Sequence, residues 1–157
     1  MNVGTLFTKA ARTYPERLAI AYGDYELNYR EANARINQLA NALRSLGIQK
    51  GSNVAILLHN CPEFIETLFA CFKAGIGTVP INFRLHPKEC AFIIGHSEAA
   101  AVVLGEDFRD SLYALRKEMP KVKHFICISE PLEGMIPYAE LLQGRPTSFP
   151  DEEVERD

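Results

Sequence analysis

An α/β fold, with a mostly parallel sheet flanked by helices, is what this sequence predicts. Three observations carry it. From Asn53 onward, short apolar runs alternate with segments of helical periodicity, and parallel neighbours need helical crossovers of that kind between them. The runs Asn53 to Leu58 and Ala100 to Leu104 are continuously apolar, as strands buried on both faces are. The chain has 157 residues, 47% hydrophobic and 24% charged, enough to cover such a sheet on both sides within one compact domain.

The chain opens with apolar residues at Val3, Leu6, Phe7, Ala10 and Ala11, a helical stripe over Met1 to Arg12 that Pro15 ends. Two short runs, Arg17 to Tyr22 and Tyr25 to Leu27, flank Gly23-Asp24 and read as an antiparallel hairpin. From Tyr29 to Leu46, Ala32, Ile36, Leu39, Ala40, Leu43 and Leu46 recur at helical spacing. Asn28 is placed to cap that helix, and Gly47 to end it in the left-handed conformation. The strand Asn53 to Leu58 leads to a helix opened by Pro62, whose missing N–H is harmless in a first turn, and running to Ala74 before Gly75. A strand at Ile76 to Ile81, a helix from Pro87 through Ile94 and a strand at Ala100 to Leu104 follow. Then come a helix from Phe108 to Glu118 and a strand at Val122 to Ile128. Met135 to Leu142 reads as one more helix. Residues 1–145 make the α/β unit, and 146–157, with Pro146, Pro150 and the acidic run Asp151 to Asp157, read as a linker.

Composition excludes several functions. The net charge is −3 and no block of Lys or Arg could neutralise a row of phosphates, so nucleic acid is not an expected partner. No apolar run approaches the roughly 18–20 residues of a spanning helix, and the first residues lack the pattern of a secretion signal. A cytoplasmic protein without a transmembrane segment is expected. Cys61, Cys71, Cys90 and Cys127 show no CxxC and no metal-ligand spacing, and read as reduced, structural thiols. No metal site is expected.

Candidate chemistry is sparse. Gly75-Ile76-Gly77 lies between a helix and a strand, the reverse of the order that cradles phosphate, and is expected to stop the helix and allow close packing. No P-loop or GxSxG nucleophile elbow is present. Glu63 and Glu66 are expected to be solvated or to face the helix dipole rather than act as an acid/base pair. Binding sites in open α/β sheets collect beyond the carboxyl ends of strands. That rule singles out His59 and, more strongly, Asn82, Phe83 and Arg84, where a cation stands beside an amide and an aromatic ring.

The stretch Leu27 to Ile94 resembles the amino-terminal part of the adenylate-forming enzymes and, within them, of the acyl-CoA synthetases (fatty acid–CoA ligases). Phe72 to Leu85, FKAGIGTVPINFRL, is similar to that family's early KAG…VPxNxRL motif, and Asn53 to Glu63, NVAILLHNCPE, to the element before it. Asn82 with Arg84 is similar to the acyl-CoA and aryl-CoA ligase branches rather than to peptide-synthetase adenylation domains. The resemblance implies a two-step reaction: a carboxylate joins AMP with release of pyrophosphate, and the acyl group then passes to the thiol of coenzyme A. It implies ATP, Mg2+ and CoA in the full-length enzyme, and the remaining nucleotide-binding and carboxy-terminal domains as partners. It also implies a possible homodimer and a cytoplasmic or peripheral membrane location.

In that family a Ser/Thr/Gly-rich phosphate loop follows an acidic linker like Asp151 to Asp157; that loop, the magnesium-binding Glu and the catalytic Lys are not within these residues. The chain alone is therefore expected to lack ligase activity, and no catalytic residue is assigned. What it offers, by the resemblance, is a wall on the CoA side. Arg84 and, in second place, Arg109 are expected to offer a guanidinium to CoA phosphates there, with Asn82 part of the same wall. Two other readings stand beside the fatty-acid branch: an aryl-CoA ligase fragment, or a standalone binding or oligomerisation module built on the same fold.

Overall fold

A computed structural model describes residues 2–149. Five strands form one all-parallel sheet: β3 (Asn53–Leu57), β4 (Gly77–Pro80), β5 (Ala101–Leu104), β6 (His124–Cys127) and β7 (Ile136–Pro137), in the order β4-β3-β5-β6-β7. A separate antiparallel hairpin pairs β1 (Leu18–Tyr22) with β2 (Tyr25–Asn28). The helices are α1 (Gly4–Thr13), α2 (Tyr29–Ser45), α3 (Pro62–Ala74), α4 (Pro87–His96), α5 (Glu106–Ala114) and α6 (Tyr138–Leu142). The α/β class with helices on both faces is as the sequence predicts.

Period-two alternation along the strands divides the core. Val54, Ile56, Leu58, Ala101, Val103 and Ile126 point to one face, under α2, α3 and α6. Ala55, Leu57, Val102, Leu104, Phe125 and Cys127 point to the other, under α4 and α5. Both faces of β5 are buried throughout, which is why its sequence is continuously apolar. Asn28 caps α2 by a capping box with Glu31, as its position predicts. Gly75 ends α3 at φ 68°, and a side chain at Gly77 would collide with Asn53, so the two glycines stop a helix and permit close approach. All four cysteines are free thiols; Cys71, Cys90 and Cys127 are buried.

Three expectations need correction. Met135 to Leu142 is not one helix. Ile136 and Pro137 extend the sheet beside β6, and the helix starts only at Tyr138. Pro137 cannot donate to a ladder, and at the sheet edge it need not. The helix expected over Phe108 to Glu118 starts at Glu106, with Gly105 as its cap, ends at Ala114 and gives way to a 3-10 turn at Arg116–Glu118. Glu66 is fully buried, not solvated. Its carboxylate accepts from Arg35 Nε on α2 at 2.6 Å and from Tyr138 Oη on α6 at 2.6 Å. A buried carboxylate persists only with such partners.

A second polar cluster was not legible at all. Lys73 is completely buried on α3 and donates to Asn33 and Asn37 of α2, at 2.7 and 2.8 Å. Asn37 and Asn41 in turn donate to the carbonyls of Thr147, Pro146 and Ser148, and Phe149 packs into the core beneath the Arg44 guanidinium. Residues 146–149, the first part of the expected linker, thus lie against α2. The acidic run Asp151 to Asp157 lies outside the described residues.

Candidate functional site

The order of the strands places a crevice. From β3 the chain crosses by α3 to β4 on one side, then by α4 to β5 on the other side of β3. The turns after β3 and β5 therefore leave toward opposite faces, α3 to one and α5 to the other. Beyond such a reversal the carboxyl ends of two strands part, and ligand sites in open α/β sheets form there. Here a concavity of about 270 Å³ occupies that position, lined by Leu58, His59, Gly105, Asp107, Phe108 and Ser129 among others.

His59 stands on one lip of the crevice and Asp107 on the other. The His59 Nε2 and an Asp107 carboxylate oxygen are 2.7 Å apart, so the pair bridges the opening. Asp107 and Glu106 occupy the first turn of α5, where carboxylates satisfy the positive end of the helix dipole. That end is therefore a poor seat for a phosphate. The ring of His59 leans on Phe83, with centroids 4.2 Å apart and planes inclined at 44°. His59 is thus part of the crevice, and its partner Asp107 is a residue that sequence reasoning missed. Its signal was only its place, three residues after the end of a buried strand.

The loop after β4 carries the remaining candidates. Asn82 Oδ1 accepts from the Arg84 N–H at 2.9 Å, and its carbonyl from the Leu85 N–H at 3.1 Å, a compact side-chain-closed turn. Arg84 is exposed, and its guanidinium stands 5.9 Å from the centre of the Phe83 ring. His86 then caps α4, accepting from the Lys88 N–H while its own N–H donates to Glu89, a box that a Ser/Thr-based search overlooks. Arg109 lies within α5 and is mostly covered. It donates to the Glu130 carbonyl at 2.7 Å and pairs with Asp110, tying α5 to the turn after β6. Of the three expected site residues, Arg84 presents an exposed cation, Asn82 shapes its turn, and Arg109 is engaged with its own protein.

The Cys61 thiol, which lines the crevice, is not an activated nucleophile. Burial pushes the Cys61 thiol up to about 11, away from the thiolate that reactivity needs. Among the described residues there is no group of three or more His, Cys, Asp or Glu side chains able to hold a metal ion. No helix there is long and apolar enough to cross a membrane.

Comparison with known proteins decides the family. The sequence pattern described as AMP-binding enzyme matches residues 7–154, almost the whole chain. The chain belongs to the AMP-binding enzyme family. Among curated members it is 36% identical over 114 residues to a feruloyl-CoA synthase of Amycolatopsis sp, covering 73% of this chain and 23% of that protein. It is 33% identical over 132 residues to a crotonobetaine/carnitine–CoA ligase of Salmonella paratyphi B, covering 81% of this chain and 26% of that one. Its fold superimposes on an anthranilate CoA ligase solved with anthranoyl-AMP at a TM-score of 0.93 and 25% identity, covering 97% of this chain and 30% of that chain. The chain spans about a quarter of the length of these curated relatives. Its parallel sheet and flanking helices are the amino-terminal architecture of adenylate-forming CoA ligases.

Proposed function

We propose that this chain is the amino-terminal part of an ATP-dependent carboxylate–CoA ligase, which forms an acyl-AMP with release of pyrophosphate and then an acyl-CoA. The exposed Arg84 guanidinium, presented beside the switch-point crevice by the Asn82 turn, is the observation that carries the CoA-side role. A guanidinium matches phosphate oxygens in charge and geometry, and it is more weakly hydrated than an ammonium, so it gives up its water at lower cost. Glu106 and Asp107 repel phosphates from the opposite lip, so the field across the crevice favours the Arg84 side. Arg109, drawn toward Glu130 and Asp110, takes a supporting part in shaping that wall.

ATP and Mg2+ do not fit the described residues, which offer neither a phosphate-cradling loop nor a metal-ligand cluster. Their binding belongs to the other domains of the ligase, and the 157 residues alone are inactive. The reaction is a cytoplasmic one. The acid is a fatty acid in the first reading. An aromatic acid is the second, and the 36% identity to a feruloyl-CoA synthase together with the likeness to an anthranilate CoA ligase favours it.

The test is kinetic. In the complete ligase, Arg84→Ala should raise KM for CoA about tenfold, with pyrophosphate release from the CoA-free first step followed for comparison. An unaltered CoA dependence would remove Arg84 from the site. Acyl-AMP formation from a long-chain fatty acid, ferulate and anthranilate separates the two substrate readings. Tight, specific CoA binding by the 157-residue chain itself would favour a standalone binding module.

A further inference from the structure

We infer that His59 and Asp107 are positioning residues, which hold the Arg84 loop at its angle to the sheet from across the crevice. The inference rests on the reading of Arg84 given above. Hydrogen bonds inside the loop, from the Arg84 and Leu85 N–H groups to Asn82, fix its shape. They do not fix how that shape is set against the strand ends. The Phe83 ring, packed with Leu85 against the core under α4 and α5, helps to do so and is the part of the loop that meets the turn after β3. Its neighbour is the imidazole of His59, on the adjacent turn after β3, at 4.2 Å between ring centres.

His59 would be a poor buttress if its ring were free to swing. Its Nε2 is tied to Asp107 at 2.7 Å, and the next residue, Phe108, is anchored in the core with Leu112 further along the same helix. Phe108 also approaches the imidazole, at 6.4 Å between centres. The line Asp107, His59, Phe83, Arg84 therefore joins the turns after β5, β3 and β4, three segments that share no backbone continuity. Tilted aromatic contacts favour one relative orientation of the two rings, so holding His59 restrains Phe83 on the side that faces the turn after β3. Phe83 then carries the guanidinium at 5.9 Å from its ring centre.

The bridging pair is open to solvent, 53% exposed at His59 and 68% at Asp107. Such a pair contributes little to global stability. A role in placing the neighbouring loop can therefore be separated from a role in folding.

Amide hydrogen exchange at Arg84 and Leu85, measured in the 157-residue chain, reads the tether, because a loop that swings free of the strand ends opens its Asn82 turn to solvent more often. His59→Ala should speed both amides about three- to tenfold, while amides of the central strands keep their protection. His59→Phe, which keeps a ring against Phe83, should restore most of the protection. Asp107→Asn, which keeps the shape and weakens the tether, should give a change of about twofold. In the complete ligase, His59→Ala should raise KM for CoA by a factor similar to the exchange effect and lower kcat less, with His59→Phe again the rescue. Unaltered exchange at Arg84 and Leu85 in His59→Ala, or exchange that quickens equally throughout the sheet, overturns the inference. If exchange responds as stated but neither His59→Ala nor Arg84→Ala moves KM for CoA, the buttress stands and the reading of Arg84 as a CoA contact falls.

Discussion

Tyr138 donates a hydrogen bond of 2.6 Å to the buried carboxylate of Glu66, which also receives Arg35 at 2.6 Å. Three helices, α6, α3 and α2, thus meet on one charge. The hydrogen bond to Glu66 holds the Arg35 guanidinium more firmly protonated than usual. Burial, and then the Glu66 charge, raise the Tyr138 hydroxyl well above its ordinary range, so it stays a donor.

Removing the shared acceptor should therefore cost more than removing either donor. Glu66→Ala leaves a partly buried guanidinium and a buried hydroxyl without their partner. About 2–4 kcal/mol of stability should be lost, below the full figure for a dry ion pair because Arg35 is about one-third exposed. Tyr138→Phe should cost about 1.5–3 kcal/mol, the range for a hydrogen bond to a charged group. Urea unfolding of the two variants checks the order.

The same burial sets an alkaline limit. Tyr138 is raised above its ordinary 10, and Cys71, wholly buried, is pushed from 9.0 up to about 12. Groups whose folded-state values are raised keep their protons while the unfolded chain gives them up, so their stabilisation is complete below the unfolded values and lost as pH rises. Stability should fall from about pH 9 toward pH 12 by about 1.4 kcal/mol per pH unit for Cys71, with Tyr138 adding to the slope only above its ordinary 10. Cys71→Ala should flatten the first part of that slope, and denaturant titrations at several pH values measure it.

Gly4 lets α1 approach the backbone of α3 closely. A methyl group there would stand 2.7 Å from the backbone nitrogen of Lys73. The contact is with backbone, so a side chain cannot rotate away to relieve it, and the first helix must shift. Gly4→Ala should cost about 1–3 kcal/mol and lower Tm accordingly, although alanine is the better helix former.

A chain ending at residue 145 should be less stable than one retaining residues 146–149. It loses the Thr147 acceptor of Asn37, the Pro146 and Ser148 acceptors of Asn41, and the packing of Phe149 under Arg44, together worth about 2–4 kcal/mol. Equal Tm values for the two chains would return these residues to the linker.

The sheet was legible because parallel strands buried on both faces must be apolar throughout, and the helices between them must be amphipathic. Asn53 to Leu58, Ala100 to Leu104 and the Asn28 cap announce themselves by residue type alone. The position of the Asn82 to Arg84 loop was legible for a related reason, since a loop beyond a strand end needs only the strand to be found. The edge strand Ile136–Pro137 was not, because two residues carry no period and their partner, Ile126 to Cys127, is ten residues away. Glu66 reads as a solvated helix residue and nothing in the sequence marks Lys73, Arg35 or Asn37, since a buried polar group differs from an exposed one only by partners on other helices. Asp107 became part of the crevice for the same reason. Periodicity and cap chemistry are local properties of the chain, whereas the pairing of His59 with Asp107 exists only once β3 and β5 lie side by side.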